Sequence, residues 1–332
     1  MTTARTTRAA WYEKNGEARD VMVLGDLPLQ APSAGEVCVH LLTSGVNPSD
    51  VKSRRARPLT DPWVVPHSDG AGIIEAVGPG VSEKRIGERV WIWNAQWQRA
   101  HGTASEAIVL PESQAVKLPD NTDFAAGACM GIPGLTAVQA VHLAGDENLR
   151  GQKVLVTGAS SAVGHYITQM VTQYGGQVIG TVGSDAKAAH AKAAGAVETI
   201  FYKTEPVVER LTAFTQGQGV DVIIDMDFAT ASQWVTTGGL KPHGQLIGYG
   251  SNVVGDIPLT FRPLLFNSIG LKFFLVYDLL PADRAWCINR LNELLAAGQL
   301  KHTMGARFKL AQIVQAHEAV ETGQMGNVVI DL

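Results

Sequence analysis

The sequence predicts an α/β protein made of a doubly wound parallel sheet joined to a compact, mostly β unit. Three observations predict it. First, Val154–Gly164 reads Val-Leu-Val-Thr-Gly-Ala-Ser-Ser-Ala-Val-Gly, an apolar run ending in small residues. A helical period follows at once through Val163, Tyr166, Ile167, Met170, Val171 and Tyr174, whose spacings of three and four share one helix face. Second, from Gly131 onward apolar runs recur at 153–157, 177–182, 199–202, 220–226, 244–250 and 269–276, with helical stretches between most of them. Third, residues 1 to about 127 show strand-like alternation (Val37, Val39, Leu41) broken by Pro28, Pro32, Gly35, Pro48, Pro66, Gly70 and Gly78, the mark of short strands and turns.

The end of the chain changes character again. Pro281–Ala297 reads as a helix with proline near its start and Gly298 at its end. A second helix, near 311–322, carries Ile313, Val314, His317 and Val320 on one side and stops at Gly323. A last short strand, Val328–Ile330, needs a partner outside the nucleotide sheet. The expected organisation is therefore an inserted domain, residues 128–274, with the other domain built from 1–127 and 275–332.

Composition narrows the function classes. Of 332 residues, 45% are hydrophobic and 17% charged, which gives ample core. A net charge of −4 offers no basic field for a nucleic acid or an anionic membrane. No apolar run approaches the roughly 18 residues of a membrane span. Arg5 and Arg8 are not followed by an apolar region, so no secretory leader is expected and a cytoplasmic location is. Cys38, Cys129 and Cys287 are scattered, without CxxC spacing, which fits a reducing compartment and speaks against a cysteine-rich zinc site.

The strand, small-residue turn and helix at 154–164 are what a dinucleotide pyrophosphate needs: close backbone N–H groups and the positive end of a helix. The glycine pattern is degraded, with Ala159 and Ser161 at its first two places and Gly164 retained. About twenty residues on, where a carboxylate would grip the ribose 2′-hydroxyl of NAD, the chain has Thr181, Val182, Gly183 and Ser184, with Lys187 one turn later. A hydroxyl and a cation accept a 2′-phosphate, so NADPH is the expected cofactor. Asp185 is read as the cap of the following helix.

With these residues in view, the chain resembles the medium-chain dehydrogenase/reductase superfamily, in its zinc-free, zeta-crystallin-like quinone oxidoreductase branch. The signposts are Ser44-Gly-Val-Asn-Pro-Ser-Asp50, Pro66 to Gly78, Gly87-Glu-Arg-Val90, Gly131-Ile-Pro-Gly-Leu-Thr-Ala137, the dinucleotide turn, Ala316-His-Glu318 and Gly326-Asn327. The resemblance implies a GroES-like, mostly β catalytic domain beside a Rossmann NADPH-binding domain. Zinc-dependent relatives hold their metal where this sequence has Asn47, Ser68 and Gly131, a donor set unsuited to zinc. No metal is expected, and His67, one residue before the zinc-histidine place, is read as a pocket-rim or supporting residue. Without zinc to polarise an alcohol, hydride transfer to an acceptor that is already electrophilic, a quinone or enone, is the implied chemistry.

The same resemblance implies cofactor contacts. Thr136 is expected near the nicotinamide or its ribose phosphate, and Ala159, Ser160, Ser161, Ala162, Val163 and Gly164 at the pyrophosphate. Ser184, Lys187 and Tyr202 are expected around the 2′-phosphate; Lys187 can also be read as an exposed helix lysine and Tyr202 as an ordinary strand aromatic. Tyr249, Gly250 and Ser251 are expected to pass under the nicotinamide, Phe274 and Leu275 to close that face, and Asn327 to stand where the family usually has lysine. The candidate catalytic residues are Asn47, which is also a candidate cofactor contact, Lys52 and Asp50. Lys52 stands where many relatives carry tyrosine; it either stabilises developing oxyanion charge or is a solvated residue beside Arg54 and Arg55. Asp50 reads better as a structural acceptor than as an acid. Trp91 and Trp93 line an acceptor pocket or fill the core.

A short-chain dehydrogenase, whose turn is similar, is excluded because no tyrosine is followed by lysine four residues on. Two other readings stay open: an NADPH-dependent C=C reductase of alkenals, enones or enoyl thioesters, and a dinucleotide-binding structural or sensor protein without turnover. A homodimer paired through the 269–276 edge strand is implied by the resemblance.

Overall fold

The computed structural model describes residues 5–332. The chain opens with β1 (Thr6–Trp11), α1 (Ala18–Val21), β2 (Val23–Pro28), β3 (Glu36–Val46), α2 (Pro48–Ala56), β4 (Asp69–Val77), β5 (Arg89–Ile92), β6 (Ala107–Pro111), β7 (Ala115–Lys117) and α3 (Phe124–Gly127). The middle alternates α4 (Leu135–Ala144), β8 (Lys153–Val156), α5 (Ala162–Gln173), β9 (Gln177–Val182), α6 (Asp185–Ala193), β10 (Glu198–Phe201), α7 (Val207–Phe214), β11 (Val220–Asp225), α8 (Phe228–Thr236), β12 (Leu240–Gly248), α9 (Phe261–Phe266), β13 (Gly270–Phe273) and α10 (Pro281–Ala296). It closes with β14 (Met304–Lys309), α11 (Ile313–Glu321) and β15 (Asn327–Asp331).

Two compact units result: one holds the residues up to Gly134 together with Ile288–Leu332, the other Leu135–Cys287. In the first, strands run in the order β14-β15-β3-β4-β5-β7, with β6 on β3 and a separate β1-β2 ribbon. The chain's last strand reaches this sheet by pairing antiparallel with β3, Val328 against Val46 through Asp331 against Thr43. Alternation along β3 sends Val37, Val39 and Leu41 into a core with Ile74, Val90, Ile92, Ile108 and Leu110. The second unit is a six-stranded sheet in the order β10-β9-β8-β11-β12-β13, parallel at every pairing. Helices cover both faces of such sheets, so its strands are apolar on both sides. Leu155, Ile179, Ile200, Ile223 and Leu246 are buried in one cluster, and burying each stabilises by about 1.5–3 kcal/mol before the entropy of ordering the chain.

The sequence pattern misplaces a few ends. β12 starts at Leu240 rather than 244, across a register shift beside Gly244 that hides its first residues from a hydrophobicity reading. β13 is shorter than the apolar run 269–276: the Ile269 N–H returns to the Leu264 carbonyl and a 3₁₀ turn takes over at Val276–Asp278. Ser184, not Asp185, caps α6, its hydroxyl accepting from the Lys187 N–H at 3.4 Å, and Asp185 is the first helical residue. Among the described residues no helix is long and apolar enough to cross a membrane.

Candidate active site

In the parallel-sheet unit the candidate nucleotide site lies where β8 and β11 adjoin, the point at which strand order reverses and where ligands bind in open α/β sheets. β8 runs into Thr157 and Gly158, which takes a left-handed φ of 61°. The Gly158 N–H donates to Thr181 Oγ1 at 2.9 Å, pinning the turn to β9. Ser161 then caps α5, accepting from the Gly164 N–H at 3.0 Å. A helix cannot satisfy the N–H groups of its own first turn, so those of Ala162 and Val163 are available to an anion, reinforced by the helix dipole. Gly164 has no substitute: a Cβ there would lie 2.2 Å from the Gly158 carbonyl oxygen and 3.0 Å from Ala159 Cα. Ala159 and Ser160 are buried in the turn, which is a cradle that keeps backbone atoms close together. The retained glycine and the small residues in place of the lost ones fit a pyrophosphate.

At the ends of β9 and β10, Tyr202 stands 48% exposed, and its hydroxyl and ring edge lie 3.5–3.6 Å from the position a side chain at Gly183 would occupy. Lys203, which the sequence reading passed over, sits with it, Nζ 6.0 Å from the Tyr202 ring centre. Ser184 is exposed and Lys187 half-buried on the first turn of α6. Deeper in the crevice, Asp225 ends β11. One of its oxygens accepts from Thr157 Oγ1 at 2.7 Å and from the Asp227 N–H at 3.1 Å. The other, buried, has no partner, and burial pushes the carboxyl up to about 6. The Tyr249 hydroxyl is likewise buried without a partner, and burial followed by the nearby Asp225 charge drives its pKa up. Tyr249 leans on Phe274 with ring centres 6.2 Å apart. Unpaired buried polar atoms of this kind are uncommon in folded proteins. Thr136 is buried in α4, and Gly250, Ser251 and Leu275 are exposed or half-buried around the ends of β12 and β13.

In the β unit, Asn47 caps α2. Its N–H donates to Asp50 Oδ2 at 2.7 Å, and its side-chain Nδ2 donates to Asp69 Oδ2, also at 2.7 Å. Asp50 is thus the third residue of a capping box, buried, with burial pushing its carboxyl up to about 7. Its work is structural. Asp69 is wholly buried and its pKa is raised far above the carboxylate range by the same cause. The Cβ of any residue replacing Gly131 would fall 2.4 Å from Asp69 Oδ1 and 2.5 Å from the Ile92 carbonyl oxygen. The volume that a third metal ligand needs is therefore filled, and Asn47 and Ser68 supply no thiolate or imidazole. Among the described residues no group of three or more His, Cys, Asp and Glu could hold a metal. Lys52 is exposed on α2; its neighbour Arg54 is wholly buried and paired with Glu321.

At four positions the structure fixes the surroundings of a residue named from the sequence. His67 is not on a pocket rim but wholly buried in a hydrogen-bonded chain. Thr103 Oγ1 donates to the Asp69 carbonyl, so it accepts from Ser44 Oγ at 2.8 Å. Ser44 in turn accepts from His67 Nδ1–H at 2.9 Å. That leaves His67 Nε2 as a lone pair facing His317 Nε2–H at 3.0 Å, and His317 Nδ1 buried with no partner. Both rings are neutral: burial lowers His67 well below the imidazole range and His317 to about 3. Trp91 is wholly buried and donates from Nε1 to Asn292 Oδ1 at 3.0 Å, so it fills the core and faces no acceptor. Trp93 does not share its strand face, because β5 ends at Ile92, and its Nε1 donates to the Ser113 carbonyl at 3.1 Å. Asn327 is buried at the start of β15 with its amide donating to the Thr303 carbonyl at 3.2 Å, a local role that leaves no arm for a cofactor phosphate.

A parallel dinucleotide sheet and a GroES-like β unit assembled from both chain ends define a two-domain dehydrogenase/reductase. Comparison with known proteins agrees. Residues 33–120 match the alcohol dehydrogenase GroES-like domain and residues 162–293 the domain described as zinc-binding dehydrogenase. The quinone oxidoreductase of Pseudomonas aeruginosa is 32% identical over 75% of this chain and 76% of its own. A 2-haloacrylate reductase from Burkholderia is 27% identical over 97% and 98%. The solved structure of a mycobacterial protein complexed with NADPH superimposes with a TM-score of 0.85 at 26% identity, covering 98% of this chain and all of that one. The chain belongs to the quinone oxidoreductase branch of the medium-chain dehydrogenase/reductase superfamily.

Proposed function

We propose that this protein is an NADPH-dependent reductase of quinones or related enones that works without a metal. The reading rests on one observation above the others: where zinc-dependent relatives place ligands, this chain has an amide already bonded to Asp69, a serine, and a glycine whose side-chain space is filled. Such a site cannot polarise an alcohol through a Lewis acid, so its acceptor must be electrophilic by itself. NADPH, when bound, supplies the hydride. The chain's own residues then bind and orient: the first turn of α5 holds the pyrophosphate, while Ser184, Lys187, Tyr202 and Lys203 surround the 2′-phosphate. Thr136, Tyr249, Gly250, Ser251, Phe274 and Leu275 frame the nicotinamide. Asn47 is fixed by Asp69 and Asp50, and Lys52 offers a cation for developing oxyanion charge.

The likeness to a 2-haloacrylate reductase favours a second reading, reduction of an activated C=C bond. Following NADPH and NADH oxidation side by side over a quinone panel and an enone panel separates the two. NADPH that binds but is oxidised by no acceptor would favour the non-catalytic reading.

Assembly as a homodimer through β13 belongs to the same proposal. Among the described residues β13 is a free sheet edge, and Phe261, Leu265, Phe266 and Phe273 near it are 56–72% exposed. A free strand edge with apolar neighbours is a surface that proteins cover. Light scattering gives the mass, and Phe266→Asp should shift it to that of one chain.

A further inference from the structure

The β unit holds a cavity of about 210 Å³ that none of the chemistry above uses. It opens at the far end of α2, between Ser53, Arg57 and Leu59 on one side and Gln96, Trp97, Gln98 and Arg99 on the other, with Tyr12 and Val64 behind. The back wall is fixed, since Tyr12 and Val64 exchange both backbone hydrogen bonds, at 2.9 and 3.0 Å.

Its chemistry is one-sided. Two guanidinium groups line it and no carboxylate does. Arg99 is held entirely by neutral acceptors: the His101 carbonyl at 3.3 Å, the Val109 carbonyl at 2.7 Å and Gln114 Oε1 at 3.4 Å. Glu36 acts on Arg99 only through space, and a partly buried cation without a direct ion pair favours an anion beside it. Arg57 lies with its guanidinium carbon 5.1 Å from the Trp97 ring centre. A guanidinium placed over an indole is attracted to its face, and the N–H fork of an arginine suits a planar carboxylate. The nearest acid in sequence, Asp61, is engaged with the Thr60 hydroxyl at 3.0 Å. The rest of the lining is uncharged: apolar or aromatic at Tyr12, Pro58, Leu59, Val64 and Trp97, and polar at Ser53, Thr60, Gln96 and Gln98. The volume lies below the roughly 300–1,000 Å³ of sites for drug-sized ligands, which limits the occupant to about one ring.

We propose that this cavity is a binding site for a small planar carboxylate, an aromatic or conjugated acid, with Arg57 pairing with the carboxylate, Arg99 supplying field, and the ring against Trp97 and Tyr12. The proposal does not rest on the reading of the nucleotide site.

The test is calorimetric titration of the full chain with benzoate in saturating NADPH, beside benzyl alcohol and inorganic phosphate. Benzoate should bind saturably, at least tenfold more tightly than either comparison, and Arg57→Gln should weaken it tenfold or more. Arg57 is exposed, so this variant should fold, and an unchanged melting temperature checks that it does. Equal binding of benzoate by Arg57→Gln, or no saturable binding by the parent protein, overturns the site. Phosphate binding as tightly as benzoate overturns the assignment to planar carboxylates.

Discussion

Gly164→Ala is the smallest change that should disable the nucleotide site. The added methyl would lie 2.2 Å from the Gly158 carbonyl oxygen and 2.9 Å from its carbon. Ordinary carbon-to-carbonyl contacts are about 3.3–3.6 Å, so the turn and the start of α5 must separate by about 1 Å. Both neighbours are backbone, and Gly158 is itself held by Thr181 Oγ1 at 2.9 Å, so no side chain can rotate to relieve the contact. Overpacking of this kind costs about 1–3 kcal/mol, which for a domain of this size lowers the melting temperature by about 2–4 °C per kcal/mol. The displacement falls on the N–H groups assigned to the pyrophosphate, so NADPH affinity should drop at least tenfold, or about 1.4 kcal/mol. Differential scanning calorimetry and titration of NADPH fluorescence measure the two effects separately. A variant that melts normally and binds NADPH as the parent does would refute both the close approach and the placement of the phosphates.

Lys187→Ala and Lys203→Ala should each raise the KM for NADPH by about tenfold, the loss of one charge-assisted contact, and change that for NADH little; equal effects on both cofactors would remove the 2′-phosphate assignment. Trp91→Ala should cost about 3–5 kcal/mol in chemical denaturation, with Trp91→Phe costing less; a rise in acceptor KM without a loss of stability would return Trp91 to a pocket. The neutral His67–His317 pair predicts an acid weakness. The unfolded chain takes up protons near 6.5 that the fold refuses until about 3 for His317. The pair's own contribution to stability should therefore decline as pH falls below about 6.5, by up to about 1.4 kcal/mol per pH unit per ring. Asp50 and Asp225, raised to about 7 and about 6, act in the opposite sense, their charged forms costing stability as pH rises. His317→Gln keeps a donor for His67 Nε2 without titrating at that position, so melting temperatures between pH 6.5 and 4.5 should fall less steeply; an identical slope would show the pair to be irrelevant.

Much of the fold could be read from the sequence because period and punctuation are local. The strand-turn-helix at 154–164, a strand for each of the six apolar runs and the closing strand are all present, with ends displaced at β12 and β13. Side-chain roles depending on long-range partners could not be read in this way. Trp91 meets Asn292 and His67 meets His317 across some 200 to 250 residues, and no local pattern announces either contact. Asp50 was legible as a structural acceptor because its partner, Asn47, is only three residues away. Lys203 and Asp225 did leave signals. One adjoins Tyr202, and the other is a charged residue closing an apolar run at the carboxyl end of a parallel strand, where ligands bind. Hydrophobic spacing alone marks 220–226 only as a strand.

The central claim is hydride transfer to an unaided acceptor in a site whose donors cannot hold zinc. Its most direct measurement is quinone-dependent NADPH oxidation by protein treated with a strong chelator, with metal content determined on the same sample. Full turnover at negligible zinc is expected, with no alcohol oxidation when zinc is added. Activity that disappears with the metal and returns on adding zinc would contradict it.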